Sequence, residues 1–184
     1  MYRSADQLYF LCARLKGLAL LQYICPYHIR KTLAEGIFKS VLIYCLPVYG
    51  GLEVGQVKEI QVIYNKAARL VCRLPPRTSR KELFNKLGWM TLRQLVVYHT
   101  LVAVFRIRQA KAPEYLHRFL NNDSRNKRIL FPHQKLSLTY DSFCFRGSRH
   151  WNQLPSDLRY ELNSQSFKTK LKAWVFGNVP MFCD

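Results

Sequence analysis

The sequence is short of acid. Its 11 Asp and Glu stand against 29 Lys and Arg, a formal net charge of +18 with a pI near 10.0. Asp6, Asp123, Asp141, Asp157 and Asp184 are widely separated, and no two acids form a D-D, D-x-D or E-x-x-D group. Two-metal phosphoryl transfer needs carboxylates that converge on both cations, so a metal-dependent polymerase or nuclease centre is not expected. Glycine-rich phosphate cradles are missing too, because "GLEVG" lacks the required spacing and strand context. Cys12, Cys25, Cys45, Cys72, Cys144 and Cys183 contain no C-x-x-C pair and read as buried, reduced thiols. Cys144 with His150 and His133 gives at most one weak zinc half-site, below the four paired ligands of structural zinc. A Cys–His nucleophile finds no third, orienting group. The expectation is no enzyme, no metal and no cofactor.

Long apolar runs are also lacking. "LVVYHTLVAVF", Leu95 to Phe105, is well short of the ~20 residues of a membrane span, and Arg106 and Arg108 close it. Arg14 and Lys16 interrupt "LYFLCARLKGLALL", so no secretory signal is expected there and an intracellular setting, nucleus or cytoplasm, is favoured. No membrane partner is expected from these segments, although a basic amphipathic helix can lie in an anionic lipid interface. Composition alone also admits mitochondrial or ribosomal residence.

A hydrophobic share of 49% permits one folded core or two small ones. The basic excess is spread along the chain: 10 cations against 4 acids over 1–73, 9 against 2 over 74–120, and 10 against 5 over 121–184. The middle stretch is the most one-sided. A surplus this large seeks polyanions, and nucleic acid is the first candidate.

Periodicity predicts a mainly α fold, a basic helical bundle with a short extended or β-ribbon segment near 129–146. Ser4 is placed to cap a helix carrying Leu8, Leu11, Leu15 and Leu18 on one stripe, which ends before Pro26. A second helix starts at Tyr27 with Ile29, Leu33, Ile37 and Val41 inward, until Pro47 and Gly50-Gly51. The third, from about Val54 to Arg73, turns Val57, Ile60, Tyr64, Ala67 and Val71 inward, with Lys58, Lys66, Arg69 and Arg73 largely opposite. Thr78 or Ser79 caps a short helix with Glu82 at the capping-box position and Gly88 at C′. Thr91 caps a longer helix to about Lys111 that buries Leu92, Leu95, Val96, Val102 and Phe105, with His99 at the core boundary. After the turn "PEYLHRFL", the last helix is "SQSFKTKLKAWVF", with Phe167, Leu171 and Trp174 on one face. Two regions are expected, a helical one over 1–120 and an extended linker with a short helical tail over 121–184.

The positions left for function are cations. "RLPPRTSRK" sets Arg73, Arg77, Arg80 and Lys81 around a helix start, where N–H groups and the dipole also attract phosphate. Lys66 and Arg69 precede them on the same polar face. "DSRNKR" offers Arg125, Lys127 and Arg128, and "FRGSRHW" offers Arg146 and Arg149 beside Trp151, which is read as a core anchor. In "SFCFRGSRHWNQLPSDLR" Arg146 and Gly147 are expected to turn the chain, Trp151 and Leu154 to anchor it, and Pro155 to start the next turn.

Six strings in order then resemble the region carboxyl-terminal to the palm in reverse transcriptases of non-LTR retrotransposons of the jockey-like LINE type. They are "SVLIYCLPVYGG", "IQVIYNKAARLVC", "RTSRKELFNKLGWMTLRQLVVYHTL", "PEYL", "SFCFRGSRHWNQLPSDLR" and "SFKTKLKAWVF". The resemblance implies thumb-like helices from about Ser40 to Leu101 that track a template-primer backbone, followed by an element-specific tail. It places the F/Y-x-D-D palm motif and an endonuclease amino-terminal to these strings, and neither occurs in this sequence. The expectation is a non-catalytic, truncated fragment of an RNA-directed DNA polymerase that binds RNA or an RNA–DNA hybrid by phosphate contacts. The alternative is a helical protein–protein interaction module, docking on the missing palm or another protein.

Overall fold

A computed structural model describes residues 2–44, 46–49, 54–75, 77–109, 120, 122–123, 127–130 and 142–181. The order is α1 (Tyr2–Leu21), α2 (Tyr27–Leu33), a π-helical stretch (Ala34–Lys39), α3 (Ser40–Ile43), α4 (Leu46–Tyr49), α5 (Val54–Cys72), α6 (Arg80–Leu87) and α7 (Leu92–Arg108). Then come β1 (Asn122–Asp123), β2 (Arg128–Ile129), α8 (Phe143–Asn152), α9 (Ser156–Arg159) and α10 (Ser164–Asn178). The fold is mainly α. Its one strand pairing among the described residues is antiparallel, Asn122 with Ile129 and Asp123 with Arg128.

The chain packs as two units, residues 1–44 with 52–92, and residues 45–51 with 93–184. The boundary expected near 120 adjoins residues 110–119 and 121, which lie outside the described set, as does "PEYLHRFL". The stretch from Ser40 to Leu101 is divided between both units.

In the first unit Tyr64 is the hub. Its ring stacks on Trp89 at 5.6 Å and on Phe38 at 6.3 Å, and meets Phe84 edge-on at 5.1 Å. Burial raises the phenol pKa, and the hydroxyl donates to the Met90 carbonyl at 3.0 Å. Trp89 Nε1 donates to Glu35 Oε1 at 2.8 Å, so both large aromatics satisfy their polar ends. Ile60, Ala67 and Val71 are buried on α5 as its periodicity requires, and Leu11 and Leu18 on α1.

The second helical segment buries a different stripe from the expected one. Arg30, Ala34, Phe38 and Leu42 point inward, whereas Ile29 is 41% exposed. Both stripes repeat every four residues, so spacing alone could not separate them. The π-helical stretch bonds i to i+5 and takes more residues per turn than an α-helix, which keeps four-apart positions in register. Arg30 is admitted because carbonyls receive it: Nε donates to Val71 O at 3.0 Å and Nη1 to Cys25 O at 2.5 Å. Buried charge is tolerated only with such partners.

α6 ends in a full Schellman motif, with Gly88 at φ 64°, Gly88 N–H on Asn85 O and Trp89 N–H on Phe84 O, both at 3.1 Å. α5 ends on a left-handed residue too, with an arginine in place of glycine and the longer of the two bonds. Arg73 has φ 51°, and Leu74 N–H reaches Arg69 O at 3.4 Å.

In the second unit α7 is buried on nearly every side, through Leu95, Val97, Leu101, Val104, Phe105 and Ile107. Phe105 stacks on Phe167 of α10 at 4.1 Å, and Trp151 of α8 lies 6.0 Å from Phe167. α8 approaches α7 at Gly147, where a Cβ would stand 2.9 Å from a Val104 methyl. Asn163 caps α10, its Oδ1 accepting from Gln165 N–H and Ser166 N–H.

Several expectations shift. Ser4 lies inside α1, which already begins at Tyr2. The extended segment does not run to 146, since α8 starts at Phe143 with Ser142 as its cap, and residues 131–141 lie outside the described set. Arg146 and Gly147 sit within that helix and turn nothing, because the Ser142 hydroxyl accepting Phe145 N–H starts the helix earlier. Pro155 precedes α9 as its N-cap residue. Cys12 is exposed and Cys25 and Cys144 are half-buried, so of the described thiols Cys72 alone fits the expected burial; Cys45 and Cys183 lie outside the set.

Candidate nucleic-acid interface

On α5 the exposed side chains Lys58, Val62 and Lys66 and the half-buried Arg69 fall within an arc of about 80°, opposite the Tyr64 stripe. The Arg69 Nε is buried and has no hydrogen-bond partner. Arg73 is exposed yet tied down, its Nε donating to Gln22 O at 2.7 Å with Nη2 on the same oxygen. It closes the ends of α5 and α1 and is a structural residue as well as a surface cation.

Beyond it, Arg77, Arg80 and Lys81 are all exposed around the start of α6. Ser79 takes the N-cap position, but its hydroxyl makes no bond to the first turn, so the expected capping box does not close. The amino-terminal dipole of α6 therefore faces solvent among cations, with Glu82 the acid of that turn.

In the second unit the hairpin cations are positioned by α8. Trp151 Nε1 donates to Lys127 O at 2.9 Å. Asn152 Oδ1 accepts Ile129 N–H at 2.9 Å, and its Nδ2 donates to Ile129 O at 2.8 Å. Lys127 holds φ 47° at the end of the hairpin loop, and its ammonium lies 4.7 Å from the centre of the Tyr160 ring. Arg128 is exposed; Arg125 lies outside the described residues. Trp151 itself is a core residue, 1% exposed, as its sequence reading expects.

Arg149 is exposed in the last turn of α8, but Arg146 is half-buried and its Nη2 donates to Pro47 O at 2.8 Å. Of the two arginines in "FRGSRHW", one is therefore exposed and one clamps backbone. Sequence reasoning missed Arg108, whose guanidinium lies 4.9 Å from the Trp151 ring, and Arg159 and Tyr160 at the end of α9. Burial, and then the nearby charge of Arg159, lower the Arg108 pKa. Nothing local in "DLRY" signals this meeting, which depends on how α7, α8 and α9 pack.

No family model, curated protein or solved structure matches the chain.

The titratable groups outside the cations offer little chemistry. Burial raises the Cys72 and Cys144 thiols and lowers His150, which leaves the thiols protonated and the imidazole uncharged near neutral pH. His99 is half-buried and packs edge-on against Tyr98 at 5.2 Å. Among the described residues no three His, Cys, Asp or Glu form a metal-sized group, and no helix is long and apolar enough to cross a membrane. His133, the third member of the weak zinc half-site, lies outside the described residues.

Proposed function

We infer that this chain is a non-catalytic segment that binds RNA or an RNA–DNA hybrid through its phosphates, in the manner of the region that follows the palm in a non-LTR retrotransposon reverse transcriptase. The observation that carries this reading is the start of α6. Three exposed cations, Arg77, Arg80 and Lys81, flank a helix N-terminus whose cap residue leaves the first turn without a side-chain bond. Backbone donors, dipole and exposed cations at one point suit a phosphate oxygen. The α5 face with Lys58, Lys66 and Arg69 in the same unit lengthens the basic surface.

Such contacts recognise backbone, so affinity falls steeply with salt and varies little with sequence. Filter binding of RNA to the full chain tests this. Charge reversal at Arg77, Arg80 and Lys81 weakens binding more than reversal at the exposed Lys16, and equal effects would refute the placement.

A second reading has its own support. Tyr9, Phe10, Leu20, Tyr23 and Ile24 are 55–80% exposed on α1 and the turn after it. Apolar surface of this kind suits a protein partner, and size-exclusion chromatography with nuclease treatment separates the readings, since a protein complex persists while a nucleic-acid complex shrinks.

A further inference from the structure

α1 is buried along one side and open along the other. Leu11 and Leu18 are 0% and 5% exposed, whereas Tyr9, Phe10 and Leu20 are 73%, 55% and 76% exposed. At about 100° per residue Tyr9, Ala13, Lys16 and Leu20, all exposed, fall within an arc of about 60° opposite the buried pair. Their spacing of four, three and four residues is that of a coiled-coil seam. Tyr23 and Ile24, each 80% exposed in the turn after α1, extend the apolar surface past Leu20.

This face has relief. The rings of Tyr9 and Phe10 meet edge-on at 6.0 Å and make one end thick. Ala13 and Gly17 make the middle thin. A glycine inside a helix destabilises it relative to alanine. Yet a Cβ at Gly17 would meet nothing within 4 Å, so no neighbour in the fold requires a glycine there.

A seam in this order complements itself when a second copy runs antiparallel to the first, because the ends exchange. Tyr9 then meets Leu20 of the second copy, and Ala13 meets its Lys16, whose methylene stem covers the alanine while the ammonium reaches water. On the flank, Phe10 comes against the open space at Gly17 of the second copy, and a two-fold axis makes every such contact twice. The exposed parts of Tyr9, Phe10, Leu20, Tyr23 and Ile24 amount to about 700 Å², near the ~800 Å² that each partner buries in a standard interface. Charge opposes the pairing, since each copy carries +18. Salt screens that repulsion and favours the pair.

We propose that the open face of α1 is a self-association surface, on which two copies of this chain pair antiparallel with Phe10 of each seated at Gly17 of the other. This names the partner in the protein-contact reading and rests on that reading, not on phosphate binding.

The test is sedimentation velocity of the nuclease-treated full chain over a range of concentrations, at low and at high salt. The expected result is a reversible monomer–dimer equilibrium that shifts toward dimer as salt rises, opposite in sign to RNA binding. Leu20→Glu raises the dimer Kd by about 30-fold or more, the size of a hot-spot loss. Phe10→Ala leaves a hole at both flank contacts and Gly17→Phe sets ring against ring, so each variant alone dimerises more weakly than wild type. An equimolar mixture of the two restores dimer, because in the mixed pair both rings again meet a small residue. Each variant's monomer keeps the wild-type far-ultraviolet circular dichroism, as substitutions on the open side of α1 should. A chain that stays monomeric throughout overturns self-association, while docking of a different protein on the same face still stands. A dimer that Leu20→Glu leaves intact, or a mixture no tighter than the single variants, overturns the antiparallel pairing.

Discussion

Asn152 and Ile129 pair as two neighbouring strands would, side chain to backbone. The amide oxygen takes the Ile129 N–H at 2.9 Å and the amide nitrogen gives to the Ile129 carbonyl at 2.8 Å. With Trp151 bonded to the Lys127 carbonyl, α8 holds the basic hairpin from one side. The Trp-Asn pair of "SRHWNQLP" thus ties down the backbone of Lys127 and Ile129, distant in sequence.

Asn152→Ala leaves two backbone groups of Ile129 without their partner and destabilises the chain by about 1–3 kcal/mol. Urea unfolding measures it. A loss of RNA affinity should accompany it, because Lys127 and Arg128 are no longer held; intact affinity with a stability loss would mean that the loop needs no such support.

Arg30 is a structural cation. Only 6% exposed and bonded to the Val71 and Cys25 carbonyls, it should cost about 2–4 kcal/mol when changed to Met, from charge-assisted bonds lost at the end of α5 and in the turn after α1. Thermal unfolding reports this, and the salt slope of RNA binding stays at its wild-type value.

Gly147→Ala and Gly88→Ala separate two glycine roles. A methyl group at 147 would stand 2.9 Å from Val104 Cγ2 and force α7 and α8 apart, at a cost of about 1–3 kcal/mol. At 88 the space is open, and the cost is the left-handed φ of 64°, about 1 kcal/mol. Denaturant midpoints of the two variants give the comparison.

Glu161 sets an acid limit. Its hydrogen bond from Lys170, then those from Ser166 and the Asn163 backbone, lower its pKa from 4.5 to about 2. A group with a depressed folded pKa contributes stability above its unfolded pKa and loses it as pH falls through the folded one. Its contribution is therefore whole above about pH 4.5 and lost progressively toward pH 2. Glu161→Gln should flatten that part of the stability–pH curve; an unchanged curve would show that other acids dominate it.

The helical fold was legible because its signals are local. The α5 stripe, Gly88 at C′ and the Phe167–Leu171 face of α10 follow from period, propensity and capping residues, whereas α7 buries Val97, Leu101, Val104 and Ile107 beyond its expected face. The stripe around Arg30 was not legible, because two sets of four-spaced residues compete and the buried one includes an arginine whose partners lie at Cys25 and Val71. Among the cations, Arg77, Arg80 and Lys81 are exposed and lie at the helix start where the sequence puts them. The backbone bonds of Arg73 and Arg146 and the cluster at Tyr160 arise from tertiary packing, which no spacing in the chain encodes.

The most direct measurement is the salt dependence of RNA binding by the full chain, with and without the Arg77→Glu, Arg80→Glu and Lys81→Glu changes. Phosphate binding through three such cations predicts about a 20-fold fall in single-strand affinity over a four-fold rise in salt, and a shallower slope in the triple variant. Affinity independent of salt, or a slope that the triple variant leaves unchanged, would contradict the account.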